Sequence, residues 1–189
     1  MILAAGARNL FGCNRKGVVL NITKDNVDKA RQDFFSLIQT EYSTMTLREA
    51  LDRADVFIGV SAGNILSAND LKRMKADRIV FALANPDPEV NPRDALKVCR
   101  IFATGRSDFP NQINNALAFP GIFRGALDVR AKEINEKMKL AASDALANLV
   151  LKNQLSEEYI IPSIFDKRVV SAVATAVQEA AHQTKVARK

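Results

Sequence analysis

Cysteine is scarce in this 189-residue chain, which holds only Cys13 and Cys99. Neither has the paired spacing of a zinc site or a redox motif. Each falls in an apolar, strand-like run, so both read as buried free thiols suited to a reducing compartment. Histidine is scarcer still: His182, the only one, sits in a terminal helical pattern and is expected to face solvent. No apolar run is long enough to cross a bilayer, and the first residues lack the basic region, apolar core and cleavage site of a secretion signal. A cytoplasmic protein without a membrane partner is the expectation. Gly/Ser-rich, Gln-rich and Pro-rich tracts are missing, as are internal repeats, so nothing points to a disordered linker or a repeat array.

What is present suits one packed domain. Apolar residues make up 48% and charged residues 25%, and a chain of roughly 150 residues already hides about 68–70% of its unfolded surface. The net charge of +6 comes from the short clusters "NRKG", "LKRMKADR" and "KVARK", which have no aromatic residues between them. Such runs read as solvated helix faces or as cations at helix C-termini. No nucleic-acid partner is expected on this pattern.

Apolar β-rich runs alternate with helical patterns over residues 1–105, and this alternation favours a parallel sheet covered by helices. Strands are expected at "NLFGCN" (9–14), "DVFIGVS" (55–61), "RIVFALAN" (78–85) and "CRIFATG" (99–105). A helix is expected over 24–38 from the spacing of Val27, Ala30, Phe34 and Ile38. "TLRE" (46–49) reads as a capping box that opens a short helix, and Ser67 with Asp70 repeats that logic. Asn91-Pro92 reads as an N-cap followed by proline at the first helical position. Residues 106–189 are mainly helical. Ile134, Met138, Ala141, Ala145 and Leu149 mark one face, and Val170, Val173, Val177 and Ala180 mark another beyond the connection "EEYIIPSIF".

The opening "MILAAGARN" resembles the last turn of a helix stopped by Gly6. Neither a strand nor G-x-G-x-x-G precedes it, although a dinucleotide-binding sheet ordinarily begins with a strand, a glycine turn and a helix. The expected fold is therefore α/β: an incomplete Rossmann-type doubly wound parallel sheet, its first strand and glycine-rich turn absent, followed by C-terminal helices. The whole chain is read as a single domain truncated at its N-terminus. A complete protein with a short N-terminal arm is the alternative.

In open α/β sheets ligands bind beyond the carboxyl ends of the strands, where the loops diverge. Here those ends share one chemistry: Ser61-Ala62-Gly63-Asn64, Asn85-Pro86 and Thr104-Gly105-Arg106-Ser107. Small side chains admit a flat cofactor, and an amide such as Asn85 donates and accepts without adding charge. Taken singly, each is also an ordinary turn residue. The fourth strand leads into "ATGRSDFPNQINNALAFPG" (103–121), which crowds Ser107, Asp108, Asn111, Gln112, Asn114 and Asn115 together. Arg106 and Asp108 are expected to pair with each other or to cap a helix. At "CNRKG", Asn14 does not repel a 2′-phosphate as an acid would, and Arg15 and Lys16 attract one, which favours NADP over NAD. The same residues also suit a polar turn closed by Gly17.

"VFIGVSAG", "FALANPDPEVNP" and above all "ATGRSDFPNQINNALAFPGIFRGALDVRA" resemble the NAD(P)-binding half of malic enzymes in their compact prokaryote-like form, from the N-terminus to about residue 150. The resemblance implies oxidative decarboxylation of malate to pyruvate and carbon dioxide with reduction of NADP or NAD. It also implies Mg or Mn in the complete enzyme and a homo-oligomer. It places Val60, Ser61 and Ala62 along the cofactor; Asn14 and Arg15 join that set only from the reading of "CNRKG", and Asn14 stands where an acid is common in the family, which leaves the coenzyme preference open. Asn85 falls at the nicotinamide and substrate, and Asn114 and Asn115 at the malate. The family's catalytic tyrosine and lysine, its metal ligands and its glycine-rich turn match nothing in this chain, so it is expected to need an N-terminal catalytic half and to be inactive alone. A non-catalytic nucleotide-binding or interaction module is the alternative.

Overall fold

The computed structural model of the chain describes residues 1–15, 17–18, 29, 33, 36 and 45–189. The first residues form hydrogen-bonded turns, with the Ala5 N–H on the Met1 carbonyl at 2.9 Å and the Ala7 N–H on that of Ile2 at 3.2 Å. Gly6, at φ +102°, stops them as expected. The strand expected over 9–14 is shorter and differently paired. Only Cys13–Asn14 (β1) is extended, and it lies antiparallel to Gly17–Val18 (β2), with Cys13 opposite Val18. The reason is local. Gly17, at φ +118°, lets the chain reverse, and a Cβ there would lie 2.4 Å from the Met45 carbonyl oxygen. Cys13 is consequently exposed rather than buried, because β1 is half of a two-residue ribbon and not an inner strand. Cys99 is half-buried, and burial pushes its thiol up to about 11, which keeps it protonated and unreactive. The helix expected over 24–38 lies outside the described residues except for Lys29, Asp33 and Ser36, which are helical.

From residue 45 the expected alternation holds. Helix α1 (Leu47–Leu51) is followed by β3 (Val56–Gly59), α2 (Ala68–Leu71), β4 (Ile79–Ala82), α3 (Pro92–Ala95) and β5 (Ile101–Thr104). Thr46 and Ser67 each accept from the N–H three residues on, while Glu49 and Asp70 reach back to the cap N–H, so both capping boxes are complete. Asn91 caps α3 through the Arg93 N–H. The three strands are parallel in the order β3-β4-β5, with Gly59, Ala82 and Thr104 in one row at their carboxyl ends. Because side chains alternate along a strand, Phe57, Val80 and Phe102 share a face, and Leu51 of α1, Leu71 of α2 and Ala95 of α3 pack on it together with Met74 and Val90. The opposite face is apolar but more open: on β3, Val56 and Ile58 are 46% and 41% exposed.

The C-terminal part is helical. A 3₁₀ turn (Asn115–Leu117) leads into α4 (Phe119–Asp128), α5 (Glu136–Leu149) and α6 (Arg168–Gln183). Leu117, Met138, Ala142, Val169, Val173 and Val177 form their common core. The expected inner face of α6 holds at Val173, Val177 and Ala180 and fails only at Val170. Val169 is buried and Val170 exposed, since 169, 173 and 177 fall four apart on one side of a helix. The entry to α6 is fixed by Asp166, which accepts from the Arg168 N–H at 2.9 Å and pairs with its guanidinium at 2.7 Å. Those bonds hold its carboxyl down at about 2. His182 is exposed on α6.

Candidate functional site

Every candidate loop in the sheet region leaves from the Gly59–Ala82–Thr104 row or returns to it. Ser61 lies two residues beyond Gly59, and Asn85 three beyond Ala82. Both are exposed. One buried carboxylate joins their loops. Glu89 has no exposed surface; its Oε1 accepts from the Ser61 N–H at 2.9 Å and lies 3.4 Å from the Ser61 hydroxyl, while its Oε2 accepts from the Ala84 N–H at 3.0 Å. The backbone reinforces the link. Asn64 N–H donates to the Pro88 carbonyl, Leu66 N–H to that of Glu89, and Leu83 N–H to that of Gly59. The Asn85-Pro86 peptide is cis. Val60, between Gly59 and Ser61, is 78% exposed, and Ala62 is exposed beside it.

The loop after β5 closes on its own strand. Ile113 N–H donates to the Thr104 carbonyl at 2.8 Å, and the Gln112 amide reaches the Gly105 carbonyl at 3.3 Å. Arg106 pairs with Asp108 at 2.7 Å, with its guanidinium carbon 5.2 Å from the centre of the Phe109 ring. The pair lowers the Asp108 carboxyl below its ordinary range. Asn111 is buried at φ +54°. Its Nδ2 donates to the carbonyls of Phe102 and Glu157, and its Oδ1 accepts from the Ile160 N–H. Part of the polar cluster is thus structural. Asn114 is also engaged, since its Oδ1 accepts from the Ala116 N–H at 2.9 Å and caps the 3₁₀ turn. Asn115, the first residue of that turn, is exposed and lies two residues from the bond that ties Ile113 to Thr104.

Ser61, Ala62, Asn85 and Asn115 therefore emerge from the same end of the sheet. Asn14 and Arg15 do not share that arrangement. They lie in the β1–β2 hairpin, where the Val18 N–H donates to the Met45 carbonyl, and Lys16 is outside the described residues. Two clefts lie away from Ser61, Asn85 and Asn115, one between α5 and α6 and one beside the post-β5 loop. The larger, of about 600 Å³, lies between the post-β5 loop and the 158–165 connection and is lined by Gln112, Tyr159, Pro162 and Phe165 among others. Glu89 escaped the sequence reading. Its signal was an acid between Pro88 and Val90, in a run that is otherwise buried from 88 to 90.

The carboxyl-end loops suit a dinucleotide in chemistry: exposed Val60 and Ala62 offer apolar surface, and Ser61, Asn85 and Asn115 offer neutral hydrogen-bonding groups. Among the described residues no group of three or more His, Cys, Asp or Glu side chains stands ready to hold a metal ion. Sequence comparison is decisive on the family. A sequence model described as malic enzyme, NAD binding domain, matches residues 3–182.

The chain belongs to the malic enzyme NAD-binding domain family. It is 52% identical over 190 residues to the NAD-dependent malic enzyme of Geobacillus stearothermophilus, covering 100% of this chain and 39% of that protein. It is 46% identical over 197 residues to the NADP-dependent malic enzyme of Rhizobium meliloti, covering 96% of this chain and 25% of that one. The crystal structure of Entamoeba histolytica malic enzyme superposes with a TM-score of 0.86 at 36% identity, over 99% of this chain and 40% of that one. This malic enzyme domain thus spans well under half the length of these relatives. Its parallel strands and helices are the Rossmann-like fold of the family's NAD-binding domain.

Proposed function

We propose that this chain is the coenzyme-binding portion of a malic enzyme that oxidatively decarboxylates malate to pyruvate and carbon dioxide, and that it works joined to a further catalytic portion in a homo-oligomer. The observation that carries the reading is the single row Gly59–Ala82–Thr104, from which the Ser61, Asn85 and Asn115 segments all depart. Bound NAD or NADP supplies the hydride acceptor for the malate hydroxyl carbon. Val60, Ser61 and Ala62 line that coenzyme. Asn85 orients nicotinamide and substrate together, donating through its amide nitrogen and accepting through its oxygen. Asn115 donates to malate, and Asn114 fixes the turn that presents it. Neutral amides are apt here, because orientation is needed and added charge beside the ring is not. Mg or Mn would be held by residues outside this chain. Arg15 and Asn14 favour NADP by attracting, and not repelling, a 2′-phosphate.

The test is a chimera in which this chain replaces the corresponding residues of the Geobacillus relative. The chimera is expected to turn over malate with a nicotinamide coenzyme, with a higher kcat/KM for NADP than the parent, whereas the 189-residue chain alone is expected to show none. A folded chimera that binds neither coenzyme contradicts the reading.

A further inference from the structure

The loops that carry the coenzyme candidates are held by a group outside the candidate set. We infer that Glu89 is a positioning residue whose buried carboxylate locks the post-β3 loop to the post-β4 turn in the arrangement that receives the coenzyme; this rests on the proposed reading of the site. Three observations point there. The side chain is wholly buried, and its two oxygens divide between two segments, one taking the Ser61 N–H and the other the Ala84 N–H, at 2.9 and 3.0 Å. These donors immediately flank Val60 and Asn85. The fold also reserves space for it. A Cβ on Gly59 would come within 2.3 Å of the Glu89 Cδ, so this strand end admits only glycine while the carboxylate occupies its place.

The residue type follows from the donors. Two main-chain N–H groups aimed at one side chain require two acceptors, and only a carboxylate presents acceptors on both arms. Glutamine has the same shape but turns an N–H₂ toward one of those donors. Such a change leaves packing in place and removes the link, which separates positioning from mere filling. Ordering both loops before the coenzyme arrives lowers the entropy lost on binding, so the loss is expected in coenzyme affinity more than in turnover.

The test has two readouts. In the ¹⁵N-labelled 189-residue chain, Glu89→Gln is expected to move the Ser61 and Ala84 amide resonances and to speed their hydrogen exchange at least tenfold, while Val80 and Phe102 stay unchanged. In the chimera, the same variant is expected to raise the Kd and KM for the coenzyme at least tenfold and to keep kcat within about threefold of the parent. Glu89→Asp, which keeps two acceptors on a shorter arm, is expected to fall between; should Glu89→Gln fail to fold, Glu89→Asp alone decides. Amides that loosen while coenzyme affinity stays at the parent value overturn the inference, as does a variant that matches the parent in both readouts. A chimera whose parent form binds no coenzyme overturns the reading of the site and the inference with it, which separates the two failures.

Discussion

Gly125→Val is expected to destabilise the chain by more than about 3 kcal/mol and to lower its thermal midpoint by roughly 6–12 °C, at about 2–4 °C per kcal/mol for a domain of this size. On α4, Gly121 and Gly125 lie four residues apart and bring the helix directly against α6. A Cβ at Gly121 would sit 2.6 Å from the Val173 Cβ, and one at Gly125 only 2.5 Å from the Ala174 carbonyl oxygen. At Gly125 the obstacle is backbone, which has no rotamer to give, so the helices must part. Parting them opens the core of Leu117, Val169, Val173 and Val177. Valine gains less than about 1 kcal/mol over glycine in helix propensity, which is too little to offset a branched side chain driven into a carbonyl. Leu127→Ala on the exposed face of the same helix is the control and is expected to leave the midpoint nearly unchanged. Circular dichroism melts measure both.

Asn115→Ala in the chimera is expected to lower kcat/KM for malate about 100-fold, which is about 2.7 kcal/mol of transition-state stabilisation. The KM for the coenzyme is expected to stay within about threefold. The asymmetry follows from position. Asn115 is exposed at the head of the 3₁₀ turn, while its neighbour Asn114 holds that turn by capping it. Removing the Asn115 amide is therefore expected to leave the scaffold intact and to take away the proposed substrate donor. Steady-state kinetics with malate and coenzyme varied separately decide the matter; equal losses for both would assign Asn115 to the scaffold and not to the substrate.

The parts of the fold legible in the sequence are those where local chemistry and tertiary structure agree. Thr46-x-x-Glu49 and Ser67-x-x-Asp70 are complete capping boxes because the bonds that make them span three residues. The β4 and β5 runs are buried strands because their apolar residues meet a helix layer. Residues 9–14 misled because an apolar run says nothing of its partner, and glycine at 17 turned the chain into a hairpin. Val170 misled because a helix face read without its neighbours is uncertain by one residue. The polar stretch 107–115 reads as one cluster, yet Asn111 serves the backbone through a partner as distant as Glu157, and Asn114 caps its own turn through the Ala116 N–H. Glu89 was invisible for the same reason: its donors lie 28 residues away at Ser61 and five away at Ala84.

One coenzyme received by the post-β3, post-β4 and post-β5 segments at a common end of the sheet would shield all three segments at once. Hydrogen-exchange mass spectrometry of the chimera with and without NADPH tests it most directly. Peptides spanning 59–64, 83–87 and 104–115 are expected to be protected together, with helix α5 unaffected. Protection confined to the cleft around Tyr159 and Phe165, with those three segments unchanged, would contradict it.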